Sequence, residues 1–428
     1  MSRLVTAMMF LAFALPVYAQ TTAIVGGKVH TIGPQGTIEN GTVLIVDGRI
    51  AAVGADVEVP ADAQTIDAGG KIVTPGLFSP FGRLGLVEVS SSAGPTDYAQ
   101  RGAQFTAGFD IADAYNPRST LIAINRIEGV TRAVVAPSPG FPDETGSGHV
   151  LAGLAAIVNL GDDNVLDQRA AAMVVQLGEG GAMLSGGTRT AAWLTLRNSL
   201  NEALDYREHK GDFERGMRRA YLHSMTDLEA LQGVINGNTP MIVSIDRASD
   251  IEVLIGLVRE YGISAIIIGG SEAWMVADKL AAARIPVIVG PTANLPGSFD
   301  HINARLGTAS ILVKAGVKVA IADSDAQTHN ARNITQSAGN AVAFGLDWDA
   351  ALRAITLTPA EIFGMASMTG SLETGKAADV VIWPGDPLEL TNYPDAVFIN
   401  GKAVPMVSRQ TLLRDRYLQT EKPPAYRD

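Results

Sequence analysis

The sequence predicts an α/β protein with a central parallel β-sheet and a smaller β-sheet domain built from both ends of the chain. Between about residues 75 and 364, near-continuous apolar runs alternate with helical segments. Such runs are typical of parallel strands buried on both faces, arranged either as a closed (β/α)8 barrel or as an open doubly wound sheet. Both flanks carry short strands around Asp47-Gly48 and Asn400-Gly401, dipeptides that favour tight hairpins.

The second half of the central region has the clearest strand–helix pattern. Buried strands are predicted at 241–246, 265–270, 286–291 and 318–325, with helices at 249–261, 272–283 and 302–315 between them. The first half is less regular, and its strands are predicted at 132–136, 154–159 and 173–177. The charged segment 197–229, which contains His209 and His223, is predicted to be a solvated helical excursion over the rim.

Composition and the first residues indicate an exported protein. Arg3, an apolar stretch over 4–15 and a small-residue cleavage site at 17–19 predict a signal peptide over residues 1–19. The apolar stretch is too short to span a bilayer, and the absence of cysteine excludes disulfides. A net charge of -11 argues against nucleic acid as a partner. We therefore expect a periplasmic or secreted protein without membrane insertion.

Three motifs in order resemble those of one enzyme superfamily. The strand Thr74-Pro75-Gly76-Leu77, the segment 357–364 and the return segment 370–381 are similar to those of the amidohydrolase superfamily, especially its imidazolonepropionase-like and dipeptidase-like members. The resemblance implies a (β/α)8 TIM-like barrel rather than an open sheet. It also implies a barrel over 74–369, a composite β-sandwich domain from 20–73 and 370–412, and a C-terminal tail over 413–428.

The resemblance also implies a metal site, and this sequence lacks most of the expected ligands. Superfamily members hold one or two divalent metals with His-x-His after strand one, often a carboxylated lysine on strand four, histidines after strands five and six, and an aspartate after strand eight. Here Ser79 and Phe81 replace the His-x-His, and Ser244 replaces the strand-five histidine. No lysine occurs between Lys71 and Lys210, and 268–272 contains no histidine. No cofactor is therefore expected, the alternative being a single divalent metal.

Polar residues at the predicted strand ends supply the remaining candidates. The acidic end of strand eight suggests acid–base chemistry by three residues, Asp323, Asp325 and His329. Candidate substrate-binding residues are His149, Asp246, Arg247 and Arg332. Asp246 and Arg247 are expected either to pair with each other or to clamp a substrate carboxylate. His301 is expected to cap a helix and to be exposed to solvent.

Two hypotheses for function follow. The first is a divergent hydrolase of C–N bonds in small amides, cyclic amides or dipeptide-like compounds. The second is a catalytically inactive paralogue that binds a small ligand or pairs with an active relative. Either hypothesis predicts a small-molecule ligand, and the superfamily resemblance adds the expectation of a homo-oligomer or of such a pairing.

Overall fold

The structure is a computed structural model, and it describes residues 21–89, 94, 96–100, 102, 105–140, 148–293, 297–323 and 328–418. The predicted signal peptide, Asp325 and residues 419–428 of the predicted tail lie outside the described residues. The described chain forms two eight-stranded sheets, one from both ends of the chain and one from its centre.

The first sheet joins the two ends of the chain. Its strands are β1 (Thr21–His30), β2 (Thr37–Val46), β3 (Arg49–Gly54), β4 (Gln64–Asp67), β5 (Ile72–Pro75), β14 (Val380–Trp383), β15 (Ala396–Ile399) and β16 (Lys402–Ala403). The order is β16-β15-β14-β5-β1-β2-β3, with β4 also beside β1. Antiparallel pairing of β5 with β14 connects the two flanks. The strands form one continuous hydrogen-bonded sheet, and buried side chains from its two ends, among them Val43, Val380 and Phe398, belong to one core.

The two predicted hairpin turns have the expected backbone. Asp47 and Gly48 have φ angles of 50° and 78°, and Asn400 and Gly401 have 49° and 76°. The two turns also pack against each other, because a Cβ on Gly401 would lie 2.6 Å from the Cα of Gly48. Glycine is therefore required here both by the positive φ and by the close approach of two backbones.

The second sheet is the barrel. Its strands follow chain order as β6 (Leu77–Gly82), β7 (Val130–Val135), β8 (Leu151–Asn159), β9 (Leu166–Gln176), β10 (Met241–Ile245), β11 (Ala265–Gly269), β12 (Val287–Val289) and β13 (Val319–Ile321). The first and last strands, β6 and β13, lie beside each other, so the sheet is a nearly closed barrel. Together with the first sheet, this agrees with the predicted TIM-like barrel and additional domain.

The first half of the barrel departs from a regular strand–helix repeat. Strand β8 is antiparallel to both β7 and β9, whereas the other neighbouring strands are parallel. No helix lies between β7 and β9 in the residues that the structure describes there. The expectation of eight parallel strands is therefore wrong for β8, which packs all nine of its residues into the interior.

Helices cover the outside of the barrel. They are α1 (Thr120–Arg126), α2 (Gly178–Leu184), α3 (Arg189–Glu214), α4 (Met225–Ile235), α5 (Ala248–Tyr261), α6 (Ala277–Ala283), α7 (Thr308–Lys314), α8 (Ile334–Ala343), α9 (Trp348–Ala354), α10 (Leu357–Ile362) and α11 (Arg409–Leu418). In the described part of the chain, none of them is both long and apolar enough to cross a bilayer. The expected solvated excursion is helical, but α3 buries Leu196, Leu200 and Tyr206.

A buried ionic cluster joins the barrel to the first sheet. Arg132 on β7 is 2% exposed, and its Nε donates to Asp379 Oδ2 at 2.6 Å. Its Nη2 donates to Asn400 Oδ1 at 2.8 Å, and its Nη1 pairs with Asp167 on β9. Asp379 also accepts the Asn400 N–H at 2.9 Å. Burial lowers the pKa of Arg132, but the two carboxylates outweigh burial and raise it.

We predict that R132M lowers the free energy of unfolding by about 3–5 kcal/mol, because removing one member of a buried ionic cluster leaves the others uncompensated. Urea denaturation followed by circular dichroism measures the change. The control is D163N, which breaks the exposed Lys402–Asp163 pair and should leave the urea midpoint unchanged. A midpoint for R132M equal to that of D163N would contradict the prediction.

Candidate functional site

A cavity of about 310 Å³ opens at the carboxyl ends of the barrel strands. Functional groups are expected at this end of a barrel because the loops that follow the strands converge there. The polar or aromatic residues that line the cavity are Phe81, Arg83, Ser138, Gln176, Ser244, Asp246, Ser271, His301, Arg305, Thr308 and Asp323.

The most fully connected polar group in the cavity is the pair of Asp246 and His301. Asp246 follows β10, and its Oδ2 lies 3.2 Å from His301 Nε2. Its Oδ1 accepts hydrogen bonds from Ser271 N at 3.0 Å and Ser271 Oγ at 2.8 Å. Gly269, with a φ of 97°, permits this arrangement, since a Cβ there would lie 2.8 Å from Asp246 Oδ1. The carboxylate is thus held in one orientation toward the imidazole.

The environment of His301 favours its charged form. The hydrogen bond to Asp246 is the main reason that the pKa of His301 is raised above 6.5, although burial opposes it. His301 belongs to a short 3-10 helix, Phe299–His301. The expected helix-capping, solvent-exposed role is therefore wrong: the ring is part of the cavity wall.

Arg247 does not pair with Asp246, so the expected ion pair is absent. The Arg247 Nε donates instead to Ser249 Oγ at 2.9 Å, at the start of α5. Its side chain is not part of the cavity lining. The structure therefore separates the two predicted members of a carboxylate clamp.

The strand ends where the superfamily resemblance implies metal ligands carry a donor set that does not fit a metal. Ser79 is 1% exposed and Phe81 lines the cavity. Gln176, at the end of the fourth barrel strand, donates through Nε2 to Ser244 Oγ at 3.2 Å. Amide and hydroxyl groups bonded to each other are poor ligands for zinc compared with imidazole. Within the described ranges, no three histidine or acidic side chains are grouped to hold a metal.

The predicted strand-eight cluster is only partly described. Asp323 lies in the cavity just after β13. His329 belongs to the 3-10 helix Thr328–Asn333. Arg332 is placed elsewhere: its Nη1 donates to Gln410 Oε1 at 3.0 Å and lies 3.8 Å from Glu128 Oε1. Its predicted substrate-binding role is not supported, because the side chain holds α11 and the end of α1 together outside the cavity.

His149 is buried beside the cavity rather than in it. Its Nδ1 accepts the Leu151 N–H at 3.0 Å, and its ring meets the ring of His223 edge-on at 5.2 Å. Burial lowers the pKa of His149 to about 4, so the ring is neutral near pH 7. His223 in turn has its Nε2 2.8 Å from Ser199 Oγ. Both rings make packing and hydrogen-bonding contacts between α3 and the barrel. His149 is not part of the cavity lining, and it lines a small neighbouring pocket that shares Ser138 and Pro139 with the cavity.

Two arginines of the cavity were not selected from the sequence. The Arg83 guanidinium lies 3.9 Å from the centre of the Tyr98 ring, and that of Arg305 lies 5.0 Å from the Trp274 ring. Arg83 directly follows β6, the strand that begins at the Leu of the Thr-Pro-Gly-Leu motif, and this position at a strand end was a signal that could have identified it. Arg305 lies in an irregular loop, where the sequence offers no comparable signal.

Comparisons with known proteins agree on one kind of protein. The model of the amidohydrolase family matches residues 215–404. The amidohydrolase tasK of Hapsidospora irregularis is 24% identical over 400 residues, covering 86% of this chain but only 39% of that protein. An imidazolonepropionase of Klebsiella pneumoniae is 26% identical, covering 86% of this chain and 93% of its own. The crystal structure of an amidohydrolase from Thermotoga maritima, 24% identical, superposes with a TM-score of 0.80 over 91% of this chain and 100% of its own.

We predict that an NMR titration will find the pKa of His301 above 6.5 and that D246N will lower it, because the carboxylate stabilises the imidazolium. His149 provides the internal control, since its ring should remain neutral down to about pH 4 in both proteins. A His301 pKa at or below 6.5, or one unchanged by D246N, would show that the pair does not control the charge of the ring.

Proposed function

We propose, since this chain belongs to the amidohydrolase superfamily, that it is an exported hydrolase of C–N bonds in small amides, cyclic amides or dipeptide-like compounds. The cavity at the barrel mouth is the proposed active site. Relatives include imidazolonepropionases, which supports a ligand of this size and class.

The observation that carries the proposal is the Asp246–His301 pair. A neutral imidazole whose Nε2–H is donated to a carboxylate carries its lone pair on Nδ1, and a carboxylate in that position stabilises the imidazolium that forms. His301 can therefore take a proton from water as the water oxygen attacks the carbonyl carbon. The imidazolium then returns the proton to the leaving nitrogen as the C–N bond breaks. General acid–base catalysis of this kind contributes about 10²–10⁴-fold.

The proposed mechanism makes no use of a metal. In the superfamily a bound metal acidifies water, which requires imidazole or carboxylate ligands around it. Phe81 and the bonded pair of Gln176 and Ser244 stand at three of the strand ends concerned. Deprotonation of water is assigned to His301 because it is the described imidazole that lines the cavity.

A second candidate is a non-catalytic paralogue that binds a ligand or an active relative. The replacement of both residues of the His-x-His by Ser79 and Phe81 favours it. A barrel is held together by its core, so loss of a few residues at the mouth removes chemistry without removing the fold. Both candidate functions use the same cavity, but only the hydrolase would turn over a substrate.

We predict turnover of at least one member of a panel of N-acyl amino acids, dipeptides and hydantoins, with kcat/KM rising with pH through a midpoint above 6.5, because His301 must be neutral to act as a base. H301Q should lower kcat by about 10²–10⁴-fold. H209Q is the matched control, since His209 lies on α3 and pairs with Asp205. A chelator should have no effect, and elemental analysis should find no stoichiometric zinc, manganese or iron.

Two outcomes would overturn this mechanism. The first is about one metal per chain with chelator-sensitive turnover that is lost in D325A and H329A, which would place the chemistry at strand eight. The second is ligand binding without turnover for the whole panel, which would establish the non-catalytic candidate.

Export gives a separate prediction. Expressed with residues 1–19 in a Gram-negative host, the protein should be recovered from the periplasm with Gln20 as its first residue, because the leader has the charged, apolar and small-residue regions of a signal peptide. Intact-mass measurement reads the cleavage site. Replacing Leu11 with Arg interrupts the apolar region and should retain the uncleaved chain in the cytoplasm; periplasmic recovery of that variant would contradict the prediction.

A further inference from the structure

We propose that the cavity binds the carboxylate of a small ligand and that Arg83 is the residue that binds it. The inference deepens the proposed function by naming the charge class of the ligand in the same cavity. The inference rests on the guanidinium of Arg83, which forms no ion pair with a carboxylate of the described residues.

The position of Arg83 is fixed by the barrel. It comes directly after β6, and Gly82 beside it accepts the Ala136 N–H at 2.9 Å. The Arg83 carbonyl accepts the Leu86 N–H at 3.0 Å, which closes a tight turn after the strand. Its side chain lines the cavity at the same strand end as Phe81. The guanidinium is therefore presented from a rigid support rather than from a loop tip.

Among the described residues, Arg83 lacks carboxylate partners of the kind that Arg132 and Arg189 have. The Nε atom of Arg83 is buried without a hydrogen-bond partner, and no carboxylate in the described ranges lies within ion-pair distance of it. By contrast, Arg132 has two aspartates, and Arg189 pairs with Asp250 and Asp300. Burial accordingly lowers the pKa of Arg83. A desolvated cation without a carboxylate costs stability, so a bound anion would be the compensating partner.

The surroundings of the guanidinium suit a planar anion. The Tyr98 ring centre lies 3.9 Å from Arg83 Cζ, and the Tyr98 carbonyl accepts the Ser138 N–H at 2.9 Å. The donors of a guanidinium lie in the plane of the group, at its edge. A fork of parallel N–H groups matches the two oxygens of a carboxylate.

Besides Arg83, the charged or titratable residues that line the cavity are Asp246, Asp323, His301 and Arg305, so two carboxylates are accompanied by a second arginine and by an imidazole with a raised pKa. Asp246 is already balanced by His301 and held by Ser271. Arg305 adds a second cation, stacked on Trp274, and no acidic side chain of the described residues forms an ion pair with it. A carboxylate at Arg83 leaves the Asp246–His301 pair free for another part of the ligand.

The test compares N-acetylglycine with its neutral analogue N-acetylglycinamide by isothermal titration calorimetry on the H301Q variant. We expect the acid to bind at least about 10-fold more tightly than the amide, because charge-assisted pairs exceed neutral hydrogen bonds by about this margin. R83M should abolish the preference, whereas R305M should retain it. The proposal would be overturned if R305M lost the preference for the acid while R83M kept it. Tighter binding of inorganic phosphate than of N-acetylglycine would also overturn it.

Stability separates a binding arginine from a structural one. R83M should unfold at the same temperature as the parent or higher, because it replaces an uncompensated desolvated cation with an apolar group. A fall in the melting temperature like that of R132M would show that Arg83 supports the fold, and would contradict the proposed role. Binding is measured on H301Q and hydrolysis on the parent protein, so the two predictions are tested separately. The carboxylate preference can be confirmed even if the parent hydrolyses none of the compounds, and hydrolysis can be confirmed even if H301Q shows no preference.

Discussion

The buried contacts of Arg132 fix the two sheets relative to each other. Strand β6 follows directly from β5 of the first sheet. Strand β7 carries Arg132 and pairs in parallel with β6. Asp379 and Asn400 belong to the other end of the chain, at β14 and at the turn after β15. A single side chain therefore connects the barrel wall to the C-terminal part of the first sheet. The end of β6 carries Phe81 and Arg83, so the cavity depends on where this joint holds the first barrel strand.

The two arginines at opposite ends of this region show how stability and binding divide between similar groups. Arg132 is enclosed by carboxylates, and its desolvation cost is offset within the fold. Arg83 is placed in the cavity beside an aromatic ring, and no carboxylate of the described residues forms an ion pair with it. Functional groups are commonly held in such uncompensated states, because the missing partner is the ligand. The two substitutions R132M and R83M are expected to change stability differently because the surroundings of the two arginines differ, although the residue type is the same.

The sequence predicted those features that depend on local rules. Asp47-Gly48 and Asn400-Gly401 adopt the positive φ angles that such dipeptides favour, and the apolar runs 241–246 and 265–270 contain β10 and β11. The reversed direction of β8 was missed because an apolar strand has the same pattern in either direction. The Asp246–His301 pair was missed because it joins residues distant in the chain, and both were assigned local partners. Arg332 was misplaced because it lies in the 3-10 helix Thr328–Asn333 and its side chain reaches Gln410 of α11.

The residues at the strand ends bear on which chemistry the barrel mouth can support. In the superfamily, the end of strand one holds imidazoles that place a divalent cation against the reacting carbonyl. Here the same strand end presents Phe81 and then Arg83, a permanent but monovalent cation. A guanidinium can bind an anionic oxygen, but it cannot coordinate water and lower its pKa as a metal does. The guanidinium of Arg83 places a positive charge near the end of strand one, and under the proposed function proton transfer comes from another group. We assign it to the pair of His301 and Asp246, anchored by Ser271, so the proposed carboxylate anchor and the proposed acid–base pair share one cavity.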